Sequence, residues 1–159
     1  MANELQQIMD RINRVVRSDK PMRAALSTVL AVHKRRIFEQ GKDASGAKIG
    51  TYSTKPISIS RKNQARNTGQ THFKGGYSQY KSAIGKNPGF VNFRNFDHMM
   101  GDYGIIVNGD KFGYGFQNSF NYQKSQWLQD KYDKNVFDLS EQELNILADT
   151  LKAEVERML

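Results

Sequence analysis

The chain has 159 residues, of which 38% are hydrophobic, and it contains no cysteine. This length is that of one ordinary domain, and the lack of cysteine excludes a disulfide framework, a thiolate metal site and a cysteine nucleophile. The formal net charge of +8 is uneven: residues 1–40 carry +4, residues 41–94 carry +9 and residues 95–159 carry −5. This polarity favours a charged partner or head-to-tail contacts between copies of the chain.

The N-terminal segment has no apolar run of the kind that a signal peptide carries. The longest apolar-looking stretch, residues 24–32, is far too short to span a bilayer. We therefore expect a protein that is made in the cytoplasm and has no membrane partner.

The first 40 residues are predicted to form two helices. Residues 4–17 have apolar side chains at spacings of three and four, which is typical of an amphipathic helix. A second helix is predicted over residues 21–40, with Pro21 in its first turn and Gly41 as its stop. The apolar stripe of the first helix comprises Leu5, Ile8, Met9, Ile12, Val15 and Val16.

Residues 41–88 have no sustained periodicity and are rich in Gly, Ser, Thr, Asn and Lys. This composition predicts an extended basic loop or arm that begins with a turn at residues 43–46. Alternation of Ile57 and Ile59 with serine allows a short strand there, and residues 77–84 allow a strand or a helical turn.

The C-terminal part is predicted to contain strands and helices. A short strand is expected at Val91 and Phe93, ending near Phe96, and a helical turn at residues 97–101. Residues 104–107 and 111–116 flank an Asn-Gly dipeptide, which is typical of a hairpin. A short helix is expected near residues 122–131.

The last helix has the clearest start signal in the chain. Ser140 and Glu143 have the spacing of a capping box, and apolar residues follow at helical spacing to the C-terminus. Together these elements predict one α+β domain over residues 1–159, with an antiparallel sheet packed by the N-terminal helices and the long C-terminal helix. Its parts are the helices of residues 1–40, the basic loop of residues 41–88 and the hairpin and helix of residues 89–159.

No catalytic constellation is visible in the sequence. The three histidines, His33, His72 and His98, are not at metal-ligand spacing. The aspartates Asp97, Asp102 and Asp110 are compatible with a magnesium site of a small nuclease, but turn and cap positions suit them better. We therefore predict no catalytic residue, no metal and no cofactor.

The basic middle of the chain is the strongest functional signal. Its lysines and arginines have only Asp43 as an acidic neighbour, and Tyr52, Phe73, Tyr77 and Tyr80 are interleaved with them. This pattern fits either docking on an acidic protein surface, such as another copy's C-terminal third, or binding of nucleic acid by residues 34–86. The candidate partner-facing residues are Lys34, Arg35, Arg36, Lys48, Lys55, Arg61, Lys62, Arg66, Lys74, Lys81 and Lys86.

The order of several short motifs carries a family resemblance. The N-terminal ones are Phe38 and Gly41, the turn from Asp43 to Gly46, and then Tyr52, Thr54, Arg61 and Lys62. The later ones are Gly75-Gly76-Tyr77, residues 91–94 with Met99-Met100-Gly101, Tyr114-Gly115-Phe116, Lys124, Trp127, and residues 136–140 before the last helix. In this order they resemble the tail completion, or virion morphogenesis, family of tailed bacteriophages.

The resemblance implies a structural role without enzymatic activity. Proteins of that family form a ring, usually sixfold, that completes the head-proximal end of the tail and joins it to the neck. The implied partners are further copies of the chain, the tail tube protein, the neck or connector proteins, and packaged DNA in the lumen. The implied location is the tail or neck of the virion.

Overall fold

The structure is a computed structural model that describes residues 2–60 and 69–159. Six helices and four strands lie in this order: α1 (Ala2–Val16), α2 (Lys20–Lys34), β1 (Ile57–Ser60), β2 (Gln70–Phe73), α3 (Gly76–Ala83), α4 (His98–Asp102), β3 (Tyr103–Asn108), β4 (Lys111–Phe116), α5 (Ser119–Tyr132) and α6 (Glu141–Met158). A π-helical turn, Arg35–Glu39, extends α2. The predicted α+β class is confirmed.

The strands form two separate antiparallel pairs. β1 pairs with β2, with Ile57 opposite Phe73. β3 pairs with β4, with Tyr103 opposite Phe116, and Gly109 in the tight turn between them has a φ of 63°. The predicted hairpin is therefore confirmed, and its left-handed turn residue is a glycine because glycine takes positive φ without steric cost.

The core lies where the helices meet the β3–β4 hairpin. α2 and α6 pack along each other, and the π-helical turn places Ile37 and Phe38 in the core. The other buried members of the cluster are Ile49, Val91, Met99, Tyr103 and Val136. These residues span positions 37–136, so the core joins segments that are far apart in the sequence.

The segment after α2 is folded against the core at its start. Gly41 has a φ of 62°, and a side chain there would collide with Phe90 and with the carbonyl group of Val91. The Asp43 carboxylate accepts hydrogen bonds of 3.0 Å from the backbone N–H groups of Ser45 and Ala47, which confirms the predicted turn. The prediction of one long loop over residues 41–88 is corrected, since β1, β2 and α3 lie within it, whereas the short strand allowed at Ile57 and Ile59 and the helical turn allowed at residues 77–84 are confirmed.

The predicted strand at Val91 and Phe93 is wrong. Phe93 has a φ of 55°, which is incompatible with extended backbone. Val91 and Asn92 are both buried, whereas a strand would alternate between faces. This segment instead lines the cleft described below.

None of the described helices is both long and apolar enough to cross a bilayer.

Candidate functional site

The predicted basic residues do not form one surface. Lys34 and Lys86 are half-buried, and Lys86 forms an ion pair of 2.7 Å with Asp97. Arg61, Lys62 and Arg66 lie outside the described residues. Four of the set are exposed: Arg35, Lys48, Lys55 and Lys74.

Arg36 and Lys81 are buried, which corrects their assignment to a partner-facing surface. Neither side chain presents its charge to solvent, and each has partners within the chain. These two cations have different surroundings, and the difference separates structural from functional regions.

Arg36 belongs to a buried network that joins α2, β3 and α6. Its Nε atom donates to Glu143 Oε1 at 2.8 Å, and its Nη atoms donate to the backbone carbonyls of Lys42, Val136 and Asp138. His33 Nδ1 lies 2.9 Å from Glu143 Oε2, and His33 Nε2 lies 2.7 Å from the Tyr103 hydroxyl group. We call these four residues, Arg36, His33, Glu143 and Tyr103, the buried network.

The buried network is fully matched in charge. Burial alone would raise the pKa of Glu143, but hydrogen bonds from His33 and Arg36 outweigh it and lower that pKa to about 2. Glu143 also accepts from the Ser140 backbone N–H at 2.8 Å, so the predicted capping box is confirmed. The network fixes the start of α6.

A cleft of about 510 Å³ lies between α3, α5 and the segment of residues 91–99. Its floor is apolar, its walls are largely aromatic, and its charged side chains are lysines. The floor comprises Val91, Phe93, Met99 and Leu128, the aromatic walls are Tyr52, Tyr77, Phe96 and Tyr132, and the basic residues are Lys81, Lys124, Lys131 and His98. We call it the lysine cleft; no Asp or Glu among the described residues lines it.

Lys81 is held beneath the aromatic wall of this cleft. Only 1% of the residue is exposed. Its ammonium group donates to the Arg94 carbonyl and lies 5.0 Å from the Tyr52 ring centroid. Burial, reinforced by the nearby charge of Lys86, lowers the pKa of Lys81 to about 8.

The outer face of α5 continues the lysine cleft as a ridge. Phe120, Lys124, Trp127 and Lys131 follow at spacings of four and three, so they lie on one face of the helix. Trp127 is 55% exposed and meets Phe120 edge to face, with ring centroids 6.5 Å apart. We call these four residues the aromatic ridge.

The two lysines of the aromatic ridge have no acidic partner in the part of the chain that the structure describes. Lys124 Nζ lies 4.9 Å from the Phe120 centroid, and Lys131 Nζ lies 5.5 Å from the Tyr132 centroid. Exposed aromatic side chains beside unmatched cations are suited to binding an anionic partner that also offers apolar surface.

α1 leaves its apolar stripe uncovered. Val15 is buried, but Ile8, Met9 and Ile12 are exposed and Val16 is 77% exposed. Arg11 donates to the Leu159 carbonyl at 3.3 Å, so α1 lies beside the end of α6 and turns its stripe away from the core. The amphipathic helix is confirmed, but none of the residues that the structure describes covers the exposed part of its stripe.

The histidines and aspartates singled out in the sequence do not converge. His33 belongs to the buried network, and His72 Nδ1 lies 3.1 Å from the Ser58 hydroxyl group. Asp97 is bound by Lys86 and Arg94, which hold the pKa of that carboxyl well below its usual range. Among the described residues, no group of three or more His, Asp or Glu side chains could hold a metal ion.

The sequence pattern indicated part of the lining of the lysine cleft but not the cleft itself. The interleaving of Tyr52, Tyr77 and Lys81 indicated that aromatic and basic residues act together, and the structure places these three side chains in contact. It missed the contribution of α5. The spacing of Phe120, Lys124, Trp127 and Lys131 is the signal that could have revealed it.

Comparison of the chain with protein-family models, with curated proteins and with solved structures gave no match.

Proposed function

We propose that this chain is a structural subunit of a tailed-bacteriophage virion. It forms a homo-oligomeric ring, a hexamer, which completes the head-proximal end of the tail and joins it to the neck. Its partners are its own copies, the tail tube protein and the neck or connector proteins, with packaged DNA passing through the lumen. It is not an enzyme and needs no cofactor.

The observation that carries this proposal is the uncovered stripe of α1. An isolated helix of 15 residues is marginal in water and usually depends on packing of its apolar face. The exposed stripe formed by Ile8, Met9, Ile12 and Val16 therefore needs another protein surface. A subunit of an assembly buries such a stripe against its neighbours, whereas in a monomeric enzyme the stripe would stay exposed to solvent.

Charge polarity and the order of the motifs supply the rest of the support. Residues 41–94 carry +9 and residues 95–159 carry −5, which suits contacts between unlike faces of neighbouring copies. Such heterologous contacts generate closed rings when the rotation between copies closes. The proposed position in the virion is based on the order of the motifs, which resembles that of the tail completion family.

The test is quantitative mass spectrometry of purified phage particles, with the portal protein as the internal standard for copy number. We expect a fixed number of copies per particle, at or near a multiple of six. Absence of the chain from particles that contain every other tail protein would contradict the proposal.

A nucleic-acid-binding accessory protein is the second candidate. Lys48, Lys55 and Lys74 are exposed, and no carboxylate of the described residues pairs with them. If they bind phosphates, the logarithm of the binding constant falls linearly with the logarithm of salt concentration, by about 0.9 per phosphate neutralised. Fluorescence anisotropy with a labelled DNA, from low to physiological salt, separates this candidate from the ring.

A further inference from the structure

We propose that the lysine cleft and aromatic ridge of one copy bind the first half of α6 of a neighbouring copy, with Leu144 entering the cleft. This inference rests on the proposed ring and names the contact that would close it. It concerns two surfaces of the same chain that differ in charge and in shape.

The lysine cleft requires an anionic occupant with an apolar side chain. Its floor is apolar, and Lys124 and Lys131 at its edge have no acidic partner among the described residues. Tyr77 is tilted by 50° against Tyr52, so these two rings offer no parallel slot in which a flat base would stack. A branched aliphatic side chain beside a carboxylate fits both the floor and the edge.

The first half of α6 offers that combination. Leu144 is 50% exposed, although the leucines that follow it, Leu147 and Leu151, are half-buried against the fold. Glu141, one turn before Leu144, is exposed and has no ion-pair partner among the described residues. Residues 138–149 contain no Lys or Arg, and three of their four acidic residues, Asp138, Glu141 and Asp149, are exposed.

The contact must join two copies. No residue of 138–149 lines the lysine cleft. α6 is packed along α2, and the buried network holds its first turn through Glu143, so Leu144 has no freedom to fold back into the cleft of its own chain. Each copy therefore presents one donor face and one acceptor face, which is the heterologous arrangement that builds rings.

The same packing prepares α6 for binding. Ser140 and Glu143 cap the helix reciprocally, and Arg36 and His33 fix the Glu143 carboxylate. A rigid donor helix loses little conformational entropy on docking, which favours affinity. The aromatic ridge then supplies Trp127, a residue type that carries much of the binding energy at protein interfaces, with Phe120 beside it.

The lack of cysteine allows a direct test by disulfide crosslinking. Full-length chains with Lys124→Cys or Lys131→Cys are mixed with differently tagged chains carrying Glu141→Cys, oxidised, and resolved without reductant. The experiment is done with concentrated protein and with particles assembled from the mixture. Matched controls place the acceptor cysteine at exposed Lys111, on the β3–β4 hairpin, or the donor cysteine at exposed Glu156, near the end of α6.

We expect mixed dimers from at least one cleft pair in about tenfold excess over both controls. Charge reversal gives an independent readout by native mass spectrometry. Lys131→Glu and Glu141→Lys each weaken self-association by about tenfold, and the double variant restores it because every interface again contains opposite charges.

Several outcomes would overturn the inference. Oligomers that form normally but crosslink equally at the control positions would assign the ring contact to other surfaces and leave the proposed function standing. Single-stranded DNA that binds to the chain and is lost in Lys131→Glu, without cleft crosslinks, would assign the surface to nucleic acid. A wild-type chain that is monomeric at every concentration and absent from particles would instead remove the ring itself.

Discussion

Arg36 and Lys81 are both buried cations, yet the regions around them are opposites. Arg36 meets Glu143, His33 and three backbone carbonyls, so its charge is matched. Lys81 has one carbonyl and two tyrosine rings, and the cleft beside it contains no carboxylate among the described residues. Matched charges hold the buried network together, whereas the lysines that have no carboxylate partner, Lys124 and Lys131, mark the surface that is available to a partner.

The largest expected effect follows from breaking the matched region. Arg36→Met keeps the alkyl stem but leaves the Glu143 carboxylate buried without its cation, which costs about 3–5 kcal/mol of unfolding free energy. Urea denaturation followed by circular dichroism measures it. Arg35→Met is the control, since Arg35 is exposed and its substitution stays within about 0.5 kcal/mol. Equal losses for the two variants would contradict the assignment.

The second effect is loss of stability in acid. The pKa of Glu143 is lowered to about 2 in the folded chain, against 4.5 as its ordinary value. Because the unfolded state binds the proton more tightly, the contribution of Glu143 is complete above pH 4.5 and is lost as the pH falls towards 2. Its size is about 3 kcal/mol. Glu143→Gln should flatten this part of the pH–stability curve, whereas Glu141→Gln should leave it unchanged.

The unmatched region responds to pH in the alkaline range instead. The pKa of Lys81 is lowered to about 8 from 10.5, so the unfolded state binds more protons between these values. The contribution of Lys81 therefore becomes more favourable as the pH rises from about 8 to 10. Lys81→Met removes that rise and, near neutral pH, destabilises the fold by no more than about 1 kcal/mol, since it removes an unfavourable buried charge together with its hydrogen bond. A loss comparable to that of Arg36→Met would show that Lys81 is also a structural cation.

The smallest expected effect on stability comes from replacing the two lysines at the edge of the cleft. Lys124→Ala and Lys131→Ala should change the unfolding free energy by no more than about 0.5 kcal/mol, because neither lysine pairs with a carboxylate in the described chain. Thermal denaturation of the monomer measures this. A loss of unfolding free energy above 1 kcal/mol in either variant would show that this lysine stabilises the fold.

Elements with local signals were predictable from the sequence. The stripe of α1, the Asn-Gly hairpin and the capping box of α6 each depend on residues a few positions apart. The buried network was not predictable, because Arg36 and Glu143 are 107 residues apart and each has a sufficient local explanation, as a helix-end cation and as a capping residue. The irregular segment at Phe93 was not predicted, because its left-handed residue is not a glycine and the sequence therefore carries no signal for a positive φ.

Only part of the lysine cleft was predictable, because only some of its residues are close to one another in the sequence. Tyr77 and Lys81 are one turn apart on α3, so their association is local. The opposite wall comes from α5, more than 40 residues later, and only the fold brings Lys124 and Lys131 to the same cavity. The exposure of the α1 stripe was also beyond the sequence, since periodicity indicates which face is apolar and not what covers it.

The most direct test of the central claim is incorporation of an α1 variant into particles. Quantitative mass spectrometry compares particles made with the wild-type chain, with Ile12→Asp and with Gln7→Asp, which introduces the same charge at an exposed position on the other face of α1. The account predicts a fixed copy number for the wild type and for Gln7→Asp, and loss of Ile12→Asp from particles although its monomer remains folded. Equal incorporation of Ile12→Asp, or absence of the wild-type chain from complete particles, would contradict it.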